Sequence, residues 1–148
     1  MQSVFLACAA ISALSGVLAA AGQNDATARE ILVLERKVMD GWQTGNPDPC
    51  IALADPEITY FHIVSEKRID GLPALKSLFD ANRGRPLFDS YEMADPQVQV
   101  SGDIAVLSYI LIRHLGANTS RWNSTQIYQH KKEGWRVIHS HWSATKLP

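Results

Sequence analysis

The sequence predicts one α+β domain in which helices come first and pack on the concave face of a curved antiparallel sheet. Three observations carry this expectation. Ile31, Leu34, Val38 and Trp42 recur at helical spacing and draw one apolar stripe. From Phe88 onward every run has the composition and length of a strand. The closing stretch, Ser120 to Thr145, reads as a long hairpin, two aromatic-rich runs around the polar turn Lys132-Glu133-Gly134.

The elements follow in order. Val4 to Ala21 carries no charge and ends in Ala19-Ala20-Ala21, so residues 1–21 are expected to be a signal peptide and the chain to be secreted or periplasmic. Residues 22–27 form a short polar linker. Thr27 and Glu30 have the spacing of a capping box, which starts the first helix of a domain spanning 28–146. That helix stops at Gly45-Asn46-Pro47. A short helix is expected from Pro49 through Ala54, before Asp55-Pro56 breaks it. Ile58 to Val64 is a strand, and Lys67 to Asp70 returns beside it. Leu72, Leu75, Leu78 and Phe79 mark a third helix, with Pro73 tolerated in its first turn because no intrahelical donor is needed there.

Phe88 to Val100 is a strand interrupted at Asp95-Pro96, where a bulge is expected because proline cannot donate to a ladder. Ile104 to Leu115 and the closing hairpin complete the sheet. Alternation along Ser120 to His130 places Trp122, Ser124, Gln126 and Tyr128 on one face. Rings mixed with hydroxyl and amide groups line small-molecule pockets, so this face is expected to look inward. In the strand before it, Ala105, Leu107, Tyr109 and Leu111 fill one side, while Ile104, Val106, Ile110 and Ile112 fill the other. Helices cover one of these sides. A homodimer formed through the convex face of the sheet would cover the second.

Composition excludes some classes. Fourteen Lys and Arg stand against fifteen Asp and Glu with no long block of either sign, which leaves no electrostatic footprint for nucleic acid. Without the leader, Cys50 stands alone and no intrachain disulfide forms. No cofactor or metal is expected. His139 and His141 share a strand face and together with His62 invite a metal or acid–base reading, but no carboxylate follows at ligand spacing; they are read as hydrogen-bonded structural histidines.

The blocks DPEITYF from Asp55, PQVQVSGDIAVLSYI from Pro96 and RWNSTQIYQHKKEGWRVIHSHWS from Arg121 resemble the nuclear transport factor 2-like superfamily, the cone fold of ketosteroid isomerase and its kin. Within it, the chain is most similar to secreted bacterial relatives of the association domain of calcium/calmodulin-dependent protein kinase II. The resemblance implies a conical pocket between the first helix and the sheet, and dimers or larger rings. It puts His62 where isomerase-like members carry their proton-shuttling carboxylate, and Val38 where the isomerase has its oxyanion-binding tyrosine. It puts Leu111, Gln126 and Trp142 where the kinase association domain presents arginines. Arg113 and Arg136 stand at neighbouring positions and are expected to point outward.

The leading functional expectation is a secreted domain that holds a small, mostly apolar molecule, with Tyr109, Trp122, Gln126, Tyr128 and His141 as ligand-binding residues. The alternative is a cofactor-free isomerase, cyclase or dehydratase with His62 as the catalytic base. A third is an oligomerisation domain.

Overall fold

The computed structural model describes residues 7–62 and 65–145, with side chains from Gly22 onward. Helix α1 spans Ala7–Gln43, α2 Asp48–Leu53 and α3 Leu72–Asp80. The strands are β1 (Ala54–Phe61), β2 (Ile69–Asp70), β3 (Ser90–Ser101), β4 (Ile104–Leu115), β5 (Asn118–Lys131) and β6 (Gly134–Thr145). They form one six-stranded sheet in the order β2-β1-β6-β5-β4-β3. Only the β1–β6 pair is parallel; the long meander β3 to β6 is antiparallel throughout. The expected α+β class and the helices on the concave face are what the chain adopts.

Two boundaries differ from the sequence reading. No linker interrupts the backbone at 22–27: α1 runs unbroken from Ala7, because Asn24, Asp25 and Thr27 are weak helix formers rather than breakers and alanines surround them. Most of the expected leader has only its backbone described, and residues 1–6 lie outside the described residues. Strand β1 begins directly after α2 at Ala54 and ends at Phe61, absorbing Asp55-Pro56 through a register shift before Thr59. Val64, the expected end of that strand, lies outside the described residues.

Two bulges bend the sheet. In β3, Asp95 adopts φ +49° where the pairing skips from Ala94 to Gln97, as the proline at 96 led one to expect. In β6, Tyr128 pairs with Val137 but Ile127 pairs with His139, so Ile138 is an extra residue and the alternation reverses there. Trp135 and Val137 point into the core on one side of it, Ser140 and Trp142 on the other.

Helix α1 lies across the concave face. Tyr91 donates from β3 to Asp40 Oδ1 at 2.7 Å, and Gln43 Nε2 donates to the Asp89 carbonyl at 2.6 Å. Trp42 meets Phe79 of α3 edge-on at 4.9 Å, packing the two helices together. The chain leaves α1 through Gly45, whose φ of +72° and close approach to the Arg85 backbone both favour glycine; a Cβ there would lie 2.7 Å from the Arg85 nitrogen.

Candidate functional site

The bent sheet and the helices enclose a cavity of about 300 Å³. Its walls are mainly apolar: Val38, Met39 and Trp42 from α1, Leu53 after α2, Ile58 and Tyr60 from β1, Leu75 and Phe79 from α3, Leu111 from β4, and Trp122 and Trp142 from the last two strands. Polar groups enter at a few points, namely Glu35, His62, Asn82, Arg113, Gln126 and Ser140. A mostly apolar concavity with sparse polar groups is the usual form of a small-molecule site.

The expected site residues separate into three groups. Trp122, Gln126 and His62 line the cavity. Tyr109 and Tyr128 lie just behind its surface, fully buried, and act on it through Glu35. His141 does not belong to this site. The Ile138 bulge turns it, with His139, to the convex face, where it borders a shallow open cleft beside Phe61. There His139 Nδ1 lies 2.7 Å from Thr59 Oγ1, and the exposed Phe61 ring sits 5.9 Å from His139 and 5.7 Å from His141. The two histidines thus share a face, as expected; His62 lines the cavity and also borders the cleft that His141 borders. Among the described residues no group of three metal-ligating side chains forms.

Glu35 is the residue that the sequence reading passed over. It is 2% exposed, in the middle of the α1 stripe between Ile31 and Val38. Tyr109 donates to its Oε1 at 2.6 Å, and Tyr128 donates to its Oε2. Burial raises the carboxyl above its ordinary range; the two phenol hydrogen bonds, which favour the ionised form, offset only part of this. Gln126 belongs to the same polar floor, donating from Nε2 to Ser124 Oγ at 3.0 Å. The available signal was position: Glu35 follows Ile31 by four and precedes Val38 by three and Trp42 by seven, so a helix that buries those three buries it too.

Arg113 corrects a second expectation. It follows Tyr109 and Leu111 at strand period, so its side chain turns to the concave face and lines the cavity. The guanidinium lies 4.2 Å from the centre of the Trp122 ring, and its Nε donates to Ser120 Oγ at 3.2 Å; Trp122 Nε1 donates to the same oxygen at 3.1 Å. Among the described residues no carboxylate comes within ion-pair distance of it. Burial lowers its pKa, but a guanidinium stays charged.

His62 stacks on Tyr60 with ring centres 5.7 Å apart. Partial burial, and then the charge of Arg113, lower its pKa, so the imidazole is neutral at physiological pH and a weaker base than a free one. Cys50, also in the lining, is not a nucleophile: burial, followed by the nearby Glu35, pushes the thiol up to about 12.

Comparison with known proteins places this geometry. The family model described as the calcium/calmodulin dependent protein kinase II association domain matches residues 7–146. Among solved structures, a ketosteroid isomerase-like protein from Parabacteroides distasonis ATCC 8503 is 31% identical, with a TM-score of 0.71 over 78% of this chain and 86% of that one. The hub homology domain of Chlamydomonas reinhardtii is 26% identical, with a TM-score of 0.67 over 81% and 99% of the two chains. An NTF2-like protein of unknown function from Pseudomonas putida KT2440 is 23% identical, with a TM-score of 0.74 over 82% and 88%, and shares the fold. No protein of curated function matches the chain.

Proposed function

The chain belongs to the calcium/calmodulin-dependent protein kinase II association domain family, and from that premise we propose that its cone holds a small, mostly apolar molecule whose one charged end is anionic. Arg113 is the observation that carries this reading. A half-buried guanidinium on the wall of an apolar cavity, with no carboxylate paired to it among the described residues, is an incomplete ion pair. Its pose is already fixed by Trp122 and Ser120, so a carboxylate would meet an ordered donor and little side-chain entropy would be lost on binding. The apolar walls supply the rest of the affinity. His62 supports binding more than base catalysis, since its lowered pKa weakens it as a proton acceptor.

Titration calorimetry with 4-phenylbutyrate and its neutral analogue 4-phenylbutanol tests the assignment. The carboxylate should bind at least about tenfold more tightly, a difference of about 1.4 kcal/mol, and should lose that preference in Arg113→Met. Equal affinities in the wild-type protein would overturn it.

A second observation favours self-association. Val106, Ile110, Ile112 and Ile127 lie together on the convex face of β4 and β5, only partly buried, and no element of the described chain covers them. We propose that a second copy does, giving at least a dimer; several structural relatives are hub domains. The uncharged stretch before Gly22 supports export of the chain ahead of these roles, and N-terminal sequencing of protein from its native source would show whether the leader is removed.

A further inference from the structure

We propose that the cavity takes up its ligand together with a proton, and that Glu35 is the group that receives it. The inference rests on the cavity being a binding site, but not on the ligand having an anionic end. Glu35 contributes to the cavity wall, and among the described residues no cation lies within ion-pair distance of it. The titratable groups that face it are Tyr109 from β4, Tyr128 from β5, Cys50 from α2 and Tyr91 from β3. Each is neutral at physiological pH. Arg36 and Lys37, its neighbours on α1, are exposed to solvent.

The carboxylate therefore depends on two phenol hydrogen bonds and on whatever occupies the space in front of it. Water there solvates the charge. An apolar molecule displaces that water and offers nothing in return, which disfavours the ionised form further. A bound carboxylate acts in the same direction, because its negative charge would share the chamber with Glu35. Both effects raise the Glu35 pKa in the complex above that of the empty protein. The sign is then fixed: the complex is favoured below the midpoint of the empty protein, and the advantage is lost as pH rises through the midpoint of the complex.

The geometry leaves Glu35 both buried and reachable. It is 2% exposed, yet its side chain belongs to the lining, so a guest need not unfold the helix to change its surroundings. The proton enters from solvent and no bond in the ligand is made or broken.

Carbon-13 NMR of the glutamate side-chain carboxyls, assigned through bonds in the wild-type protein, reads the proton directly and needs no variant. In the empty protein the Glu35 signal should titrate above the ordinary glutamate range. With the cavity filled by toluene, which has no charge and no need of Arg113, the midpoint should rise by about one pH unit, and the toluene association constant should fall up to about tenfold across that interval. Glu35→Gln should bind toluene without that pH dependence. Toluene bound with the Glu35 midpoint unmoved would overturn the proton coupling and leave the cavity reading intact. Toluene that does not bind would overturn both. A shift with toluene alongside no preference for 4-phenylbutyrate over 4-phenylbutanol would support the coupling and sink only the anionic-end assignment.

Discussion

Tyr109 and Glu35 are 74 positions apart in sequence and meet at 2.6 Å on the floor of the cone, where β4 and α1 are held at the distance this hydrogen bond needs. Tyr128 approaches the other carboxyl oxygen from β5, so one side chain of α1 is tied to two neighbouring strands. Glu35 therefore locks the helix to the sheet as well as bordering the cavity.

Removing one of these donors is expected to destabilise the fold by about 1–2 kcal/mol, because a buried acceptor loses its partner while the ring that remains still fills its space. Tyr109→Phe and Tyr128→Phe should each show this in urea unfolding. The two changes should not add, since both act on one carboxyl, and a double-mutant cycle with Glu35→Gln will report the coupling.

The raised pKa of Glu35 makes stability depend on pH with a definite sign. Its contribution is fully present below the unfolded value and is lost as pH rises through the folded value, where burial must be endured by a charge. Against Glu35→Gln, the wild-type protein should lose ground between mildly acidic and mildly alkaline pH. The urea midpoints of the two proteins, followed across that range, check it.

Asp55 works on the acid side. Its burial opposes ionisation, but the Lys131 ammonium, which is bound directly to it, and the Glu57 backbone N–H outweigh that and hold its pKa below the usual carboxylate value. Stability from this pair is present above the unfolded value and is lost as pH falls through the folded one. Lys131→Met should cost about 1–2 kcal/mol, because the carboxylate of a part-buried pair would lose its cation, and acid unfolding should begin at a higher pH. Replacing Asp55 and Lys131 together with apolar residues should cost less than Lys131→Met alone.

Gly45→Ala is expected to destabilise the domain by about 2–3 kcal/mol without touching the cavity. The new methyl would need a left-handed backbone at φ +72° and would sit 2.7 Å from the Arg85 nitrogen. Thermal unfolding should show the loss. Gly84→Ala is the control: it shares the positive φ but meets nothing within 4 Å, and should cost about 1 kcal/mol.

Ile110→Glu should shift the protein to a monomer at concentrations where the wild type is associated, with its far-ultraviolet circular dichroism unchanged. Sedimentation velocity reads the difference. Unaltered sedimentation would remove the convex face of β4 and β5 from consideration as the contact between copies.

The fold was legible because its signals are local and repeat. The stripe on α1, the proline that marks the β3 bulge and the turn at Lys132-Glu133-Gly134 each declare themselves within a few residues. Simple alternation was enough to place Trp122 and Gln126 in the cavity wall. The site was harder to read for two reasons. A glutamate on a helix is ordinarily solvated, and the partners that make Glu35 tolerable, Tyr109 and Tyr128, belong to strands far along the chain. His141 was misplaced because nothing in VIHSHW announces that Ile138 is the extra residue; that follows only from its pairing with β5. Arg113 needed only the count continued two residues past Leu111.

The supernumerary residue at Ile138 has a practical consequence for anyone redesigning this molecule. It works like a dropped stitch: everything after it hangs from the opposite side of the fabric. Pairing it regularly, with Ile138 opposite Ile127, would exchange the interior pair Ser140 and Trp142 for His139 and His141, delivering two imidazoles to the chamber without altering a single side chain, whereas deleting it would leave the interior as it is. A relative whose last strand keeps its length but pairs without the bulge can therefore share most of its letters with this one and still present a different interior, so chamber chemistry should be transferred between such chains by strand pairing and never by aligned letter alone.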